Sequence, residues 1–175
     1  VALPVRISST NGKSYGGATS TTQATTAFAA TAGNHIAVAV WSNGVAVSSV
    51  TDTAGNTYVK AGGDTTTLWL ELWYAENIAG HAANVVTVTY ASTTQWRDVT
   101  AVQHAGIRTT GSLGAFASNT VASGTTISCL PSVAYLGDQV CVAAAEVRAA
   151  ATFTFTPAGF TALFSNQSAS IAART

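Results

Sequence analysis

The sequence predicts an all-β fold, an antiparallel two-sheet sandwich of jelly-roll-like form. Three observations carry that expectation. Apolar residues recur with a period of two in run after run, the mark of half-buried strands. Turn residues separate the runs at short intervals, as at Asn43-Gly44, Ala54-Gly55-Asn56, Gly62-Gly63-Asp64, Leu136-Gly137-Asp138 and Pro157-Ala158-Gly159. No capped amphipathic stretch of three helical turns occurs.

In chain order, Val5–Ser9 places Val5 and Ile7 on one face, with Pro4 just before them, which suits an edge strand or an arm. The Ser, Thr, Ala and Gly of 10–31 read partly as loop, so 1–24 is expected to be partly an extended arm. His35–Trp41 puts Ile36, Val38 and Val40 on one face. In 68–74, Leu68, Leu70, Leu72 and Tyr74 are assigned to the core face and Trp69, Glu71 and Trp73 to the opposite one. Val86, Val88 and Tyr90 alternate with Val85, Thr87 and Thr89. Further strands are expected near Val99–His104, Thr125–Leu130, Gln139–Val147 and Thr152–Thr156. Weaker patterns lie at Thr25–Ala29, Ser48–Thr51, Thr57–Lys60 and Phe160–Phe164. The Ala-rich run Ala143–Ala151 follows Val140 and Val142 after a Gly-Asp turn, so it reads as a buried strand and a loop rather than a helix. The expected core is Ile36, Val38, Val40, Leu70, Leu72, Val86, Val88, Val140 and Val142.

A chain of 175 residues suits one domain, 1–175. Charged residues make up 8%, far below the roughly one quarter of an ordinary soluble domain, and the net charge is zero. A basic stripe for phosphate contacts is missing, which argues against a nucleic-acid partner. No run of about 18 apolar residues exists for a membrane-spanning helix. Hydroxyl and small side chains replace charge, and lysine occurs only at Lys13 and Lys60. Such a surface suits a secreted or particle-bound protein and does little to keep neighbours apart. Val1 as first residue fits removal of an initiator Met or cleavage of a longer precursor.

Cys129 and Cys141 flank an expected hairpin whose turn is 135–138. They are either a cross-strand disulfide, for which an opposed pair has suitable spacing, or two buried thiols. No metal or other cofactor is expected: two cysteines at this spacing lack a second ligand pair. His35 and His104 fall in strands and His81 in a loop. No Gly-x-Ser-x-Gly elbow accompanies them, so they read as structural and no catalytic residue is expected. Glu71 and Glu76 are an odd number of positions apart, wrong for a carboxylate pair on one strand face. The row Trp69, Glu71, Trp73 is the candidate ligand-binding surface, two indoles flanking an acceptor in the manner of a sugar-stacking sheet. Its competing reading is a packed row with Glu71 paired to Arg97 or Arg108. Trp41 and Trp96 could extend either arrangement. Asp52-Thr53-Ala54-Gly55-Asn56 has too few carboxylates for a calcium loop and reads as a hairpin turn in which Asp52 bonds backbone amides. Asn166-Gln167-Ser168 is a formal glycosylation sequon.

Several of these segments occur in a familiar order: Ala32-Gly33-Asn34, then Val50-Thr51-Asp52-Thr53-Ala54-Gly55-Asn56-Thr57-Tyr58, then Trp73-Tyr74-Ala75-Glu76-Asn77-Ile78-Ala79-Gly80, and late in the chain Gly159-Phe160. Over roughly 25–165 this resembles β-sandwich modules of bacterial secreted proteins and of phage virion and tail proteins. The resemblance implies a non-catalytic, jelly-roll-like module for surface attachment, and it supplies no catalytic residues. Such modules usually continue beyond the position of Arg174, so an edge open to strand addition is expected, with Val5 and Ile7 as an assembly arm. The functional expectation is an extracellular or virion structural subunit, a decoration, fibre or filament protein with copies of itself or particle neighbours as partners. The alternative is a carbohydrate-binding module that takes a polysaccharide on Trp69, Glu71 and Trp73.

Overall fold

The computed structural model describes residues 4–66, 69–119, 141–146, 161–165 and 169–174. Thirteen strands and no helix lie among the described residues. The organising feature is one long antiparallel ribbon. Strand β1 (Val5–Ser14) pairs with β10 (Arg97–Ala105), β2 (Ser20–Ala24) with β9 (Val86–Thr94), β3 (Phe28–Ala30) with β8 (His81–Asn84), and β4 (His35–Ser42) with β7 (Leu70–Ala75). Apart from shifts at bulges, the residue numbers of partners in all four pairs come to the same total, 111, as at Ser14 with Arg97, Thr22 with Thr89, Ala30 with His81 and Ile36 with Ala75. The first half of this ribbon therefore runs back along the second about a midpoint at Gly55-Asn56. That turn joins β5 (Val47–Asp52) to β6 (Val59–Asp64).

Rolling the ribbon makes two sheets, ordered β1-β10-β4-β7-β6 and β2-β9-β5, with β3-β8 as a two-stranded piece. This nesting is the jelly-roll arrangement, and the expected antiparallel sandwich is the observed one. Between the sheets, Ile36, Val38 and Val40 of β4 and Val99 and Ala101 of β10 meet Val50 of β5 and Val86, Val88 and Tyr90 of β9. Each fully buried valine or isoleucine contributes about 1.5–3 kcal/mol relative to exposure. The β-branched side chains also suit the pleat.

The other face of the five-stranded sheet is covered too. Ala37, Ala39 and Trp41 of β4 and Thr100, Val102 and His104 of β10 are buried. A Cβ on Gly62 of β6 would come within 2.3 Å of the Phe116 ring, so the segment after β10 lies against that strand. Strand β11 (Cys141–Glu146) approaches β4 and β7, and it forms a three-stranded sheet with β13 (Ala169–Arg174) and β12 (Thr161–Ser165), in the order β11-β13-β12.

Several expectations need correction. Residues 5–14 are not an arm: β1 is hydrogen-bonded to β10 along its length, with one bulge between Arg6 and Ser8. Residues 20–24 are likewise paired, to β9. The phase of β7 is inverted. Glu71 lies opposite Val40 and Trp73 opposite Val38, so Glu71, Trp73 and Ala75 face the core, while Leu70, Leu72 and Tyr74 face the other way. Apolar residues occupy both faces of this strand, so only its register with β4 decides which face turns inward. Leu70 and Leu72 are accordingly half-buried, as is Val142. Val140, Cys129 and the strands expected near Thr125–Leu130 and Thr152–Thr156 lie outside the described residues, and with Cys129 goes the disulfide question.

Candidate functional site

The row that nominated a sugar platform is an internal fastening. Trp69 has φ 54, so it precedes β7 in a left-handed turn and does not continue the strand's alternation. Its carbonyl accepts from Ser42 N–H. Glu71 is 2% exposed. Its Oε1 accepts from Val47 N–H at 3.2 Å, and its Oε2 from the Trp73 indole N–H at 3.0 Å. Lys60 Nζ lies 2.9 Å from Oε2, in place of the expected Arg97 or Arg108. The Trp73 ring packs on the core cluster. One carboxylate thus ties β5 of one sheet to β6 and β7 of the other. This corrects the assignment of Trp69, Glu71 and Trp73 to an open face: the acceptor is consumed.

Glu71→Ala should lower the unfolding free energy by about 2–3 kcal/mol, because it strands two donors and removes a buried partner. Lys60→Ala should cost about 1 kcal/mol or less, since the ammonium end is partly in water. Urea unfolding of both variants measures this. Equal losses at the two positions would show that the ion pair, not the fastening of Val47 and Trp73, carries the effect.

Arg97 is buried and serves the opposite side of the sandwich. Its Nε donates to Thr22 O at 3.0 Å, and its Nη1 to Ala18 O at 3.1 Å and to Thr94 O. Gln103, also buried, accepts from Thr31 N–H at 2.7 Å and donates to Ala29 O and Ser8 Oγ, both at 3.2 Å. These polar side chains satisfy backbone groups in the connections at Ala18 and Thr31 and in the irregular strands β2, β3 and β9.

The Asp52 turn is a denser knot. Oδ1 accepts from Asn56 N–H at 2.9 Å. Oδ2 accepts from the Asn56 amide at 2.7 Å, the Tyr58 hydroxyl at 2.9 Å and the Asn84 amide at 2.9 Å. Asn84 Oδ1 in turn takes Ala54 N–H, and Asn56 Oδ1 takes Ala79 N–H. Gly55 sits at φ 77, as the turn requires. Burial pushes the Asp52 carboxyl upward, but the Asn56 and Asn84 amides, the Asn56 backbone and the Tyr58 hydroxyl pull it below its ordinary value. Burial, then the Asp52 charge, push the Tyr58 phenol far above its usual value. The expected turn is present, and Asp52 does bond a backbone amide, but it is not a hairpin turn: β5 and β6, the strands it joins, belong to different sheets. Tyr58 and Asn84 as its partners were not foreseen, although the Tyr of the Asp-Thr-Ala-Gly-Asn-Thr-Tyr run was a usable signal. Asn77, at φ 46, and the buried Ile78 complete the same corner, with Ile78 bonded to Asn34 and Gly33. Gly33-Asn34, Asp52–Tyr58 and Asn77-Ile78 of the motifs behind the resemblance are therefore corner-forming residues, while Gly159-Phe160 lies outside the described residues.

Two of the three histidines meet. His35 and His104 are directly opposed on β4 and β10, with ring centroids 6.2 Å apart, and Arg6 stands opposite His104 on β1. His35 stacks on Tyr74 at 5.8 Å. His104 is fully buried, and neither of its ring nitrogens has a hydrogen-bond partner among the described residues; the same holds for His35 Nδ1. Burial holds both imidazoles at about 4, with the Glu76 charge opposing the shift at His35. At neutral pH they are uncharged. His81 stands apart, its Nδ1 accepting from Ala83 N–H.

No family model, curated protein or solved structure matches the chain. Among the described residues, no three His, Cys, Asp or Glu side chains gather as a metal site.

Proposed function

We propose that this chain is a non-catalytic structural module of an extracellular or virion surface, a decoration, fibre or filament subunit that works by self-assembly or attachment. The observation that carries this reading is the outer strand β1. It forms one edge of the five-stranded sheet, and there Val5 and Ile7 are 52% and 50% exposed. The middle of the edge is engaged, since Asn11 O accepts from Thr26 N–H and Thr10 Oγ1 donates to Thr26 O. The stretch from Val5 to Ser9 presents two large apolar side chains on either side of the exposed Arg6. Ile7 falls in the bulge between Arg6 and Ser8 and is lifted out of the regular pairing. Two further features support the reading: a surface poor in charge, and buried charged groups that are spent on holding strands together. The resemblance to secreted and virion modules points the same way.

Light scattering over a range of concentrations, with electron microscopy, tests it. The expected result is a concentration-dependent assembly that Ile7→Lys weakens at least tenfold while the thermal unfolding midpoint stays within a few degrees. A wild-type monomer at every concentration, together with no attachment to a particle or surface, would sink it.

A further inference from the structure

An aromatic site lies elsewhere, at the end of the sandwich where β9 turns into β10. Trp96 is 40% exposed, the only aromatic among the large apolar side chains exposed in the described residues. Its backbone is nevertheless fixed. Trp96 N–H donates to Thr94 Oγ1 at 3.2 Å, and Trp96 O accepts from Asn43 N–H at 3.1 Å and from Thr94 Oγ1 at 3.3 Å. An indole left in water on a pinned turn is pre-organised for contact. The Tyr15 ring lies 6.0 Å from it, tilted by 36°. Tyr15 is anchored through its hydroxyl, which donates to Asp98 Oδ2 at 2.5 Å, and it leans on the buried Trp41 at 6.1 Å. Lys13 Nζ stands 5.8 Å from the Tyr15 centroid.

We propose that Trp96 and Tyr15 form a stacking site for a pyranose unit of a neutral polysaccharide. The chemistry around the rings selects that class. A sugar presents an apolar C–H face to an indole and hydroxyls at its rim, and the exposed turn residues beside Trp96 are Ser92, Thr93 and Gln95, short donors and acceptors without charge. The lone ammonium of Lys13 disfavours a cationic ligand and is too little for a polyanion. Asp98 is buried and serves Tyr15, so it acts as a positioning residue for that ring rather than a ligand contact. The site is distinct from the Trp69, Glu71 and Trp73 row, and from the β1 stretch of Val5 and Ile7. It therefore stands whether or not the module assembles.

Native gel electrophoresis of the full chain, in gels containing hydroxyethylcellulose, xyloglucan or dextran, tests the site. The wild type should be retarded in at least one. Trp96→Ala should weaken that retardation about tenfold or more, by analogy with a base stacked on an aromatic ring, and Trp96→Phe should retain part of it. Size-exclusion profiles and melting curves of the variants, unchanged from wild type, would separate lost binding from lost folding or assembly. Retardation by none of the three polymers, or equal retardation of Trp96→Ala, would overturn the proposal. Quenching of Trp96 fluorescence by a decaproline peptide, with no response to the sugars, would assign the site to a proline-rich partner and overturn it as well.

Discussion

Asp52→Ala should destabilise the domain by about 3–5 kcal/mol, the loss expected when the acceptor of a buried polar network is removed. Four donors converge on this carboxylate, and two of them belong to buried side chains. Asn84 is fully buried and Tyr58 nearly so. Alanine leaves the Tyr58 hydroxyl and the Asn84 amide desolvated and unpaired, and it frees the Asn56 N–H that closes the turn. Asn at this position keeps one acceptor oxygen but directs an NH₂ group at donors, so Asp52→Asn should cost roughly half as much. The turn is also the midpoint of the ribbon. Strand pairs are farther apart in sequence the farther they lie from it, from β4 with β7 out to β1 with β10. Closing the inner pair first costs the least loop entropy. Asp52→Ala should therefore slow refolding as well as speed unfolding. Guanidinium titration and stopped-flow refolding give both quantities. A variant within 0.5 kcal/mol of wild type would show that the hydrogen bonds drawn here are replaced by water at no cost.

What the sequence made legible was local. Period-two alternation located β4 and β9 and placed Ile36, Val38, Val40, Val86 and Val88 in the core, where all five are fully buried. The Gly55-Asn56 turn was legible because glycine and asparagine tolerate conformations that other residues resist. The phase of β7 was not, since leucines and tryptophans alternate with each other there and burial preference alone cannot rank the two faces. Register against β4 settles it, and register is a property of two strands. Everything at the candidate sites that depends on pairing was hidden for the same reason. Asn84 reaches Asp52, and Tyr15 reaches Trp96, only once the ribbon is closed. His35 and His104 were recognisable as strand residues, and their meeting follows from the β4–β10 ladder alone.

That meeting has a large consequence for acid stability. Above the ordinary imidazole value of 6.5, His35 and His104 are neutral in both folded and unfolded chains, and they impose no pH dependence. Below it the unfolded chain takes up protons, while the folded pair, held at about 4, does not. Stability therefore falls as pH drops from 6.5 toward 4, by on the order of 3 kcal/mol for the fully buried His104 alone. Among the described residues, the charged groups acting on the pair are Arg6, opposite His104, and Glu76, near His35. Arg6 further disfavours a charge on His104, and Glu76 partly favours one on His35. Glu76 itself is held below its usual value, chiefly by the Ser112 side chain and backbone, so its own contribution is lost only at lower pH. His104→Phe removes two ring nitrogens that have no partner among the described residues and keeps most of the volume. It should be at least as stable as wild type at pH 8, and it should flatten the decline between pH 6.5 and 4.5. Urea midpoints at half-unit pH steps measure this, and adding His35→Phe should remove most of the remaining slope. Parallel pH profiles for wild type and the double variant would assign the acid sensitivity to the carboxylates instead.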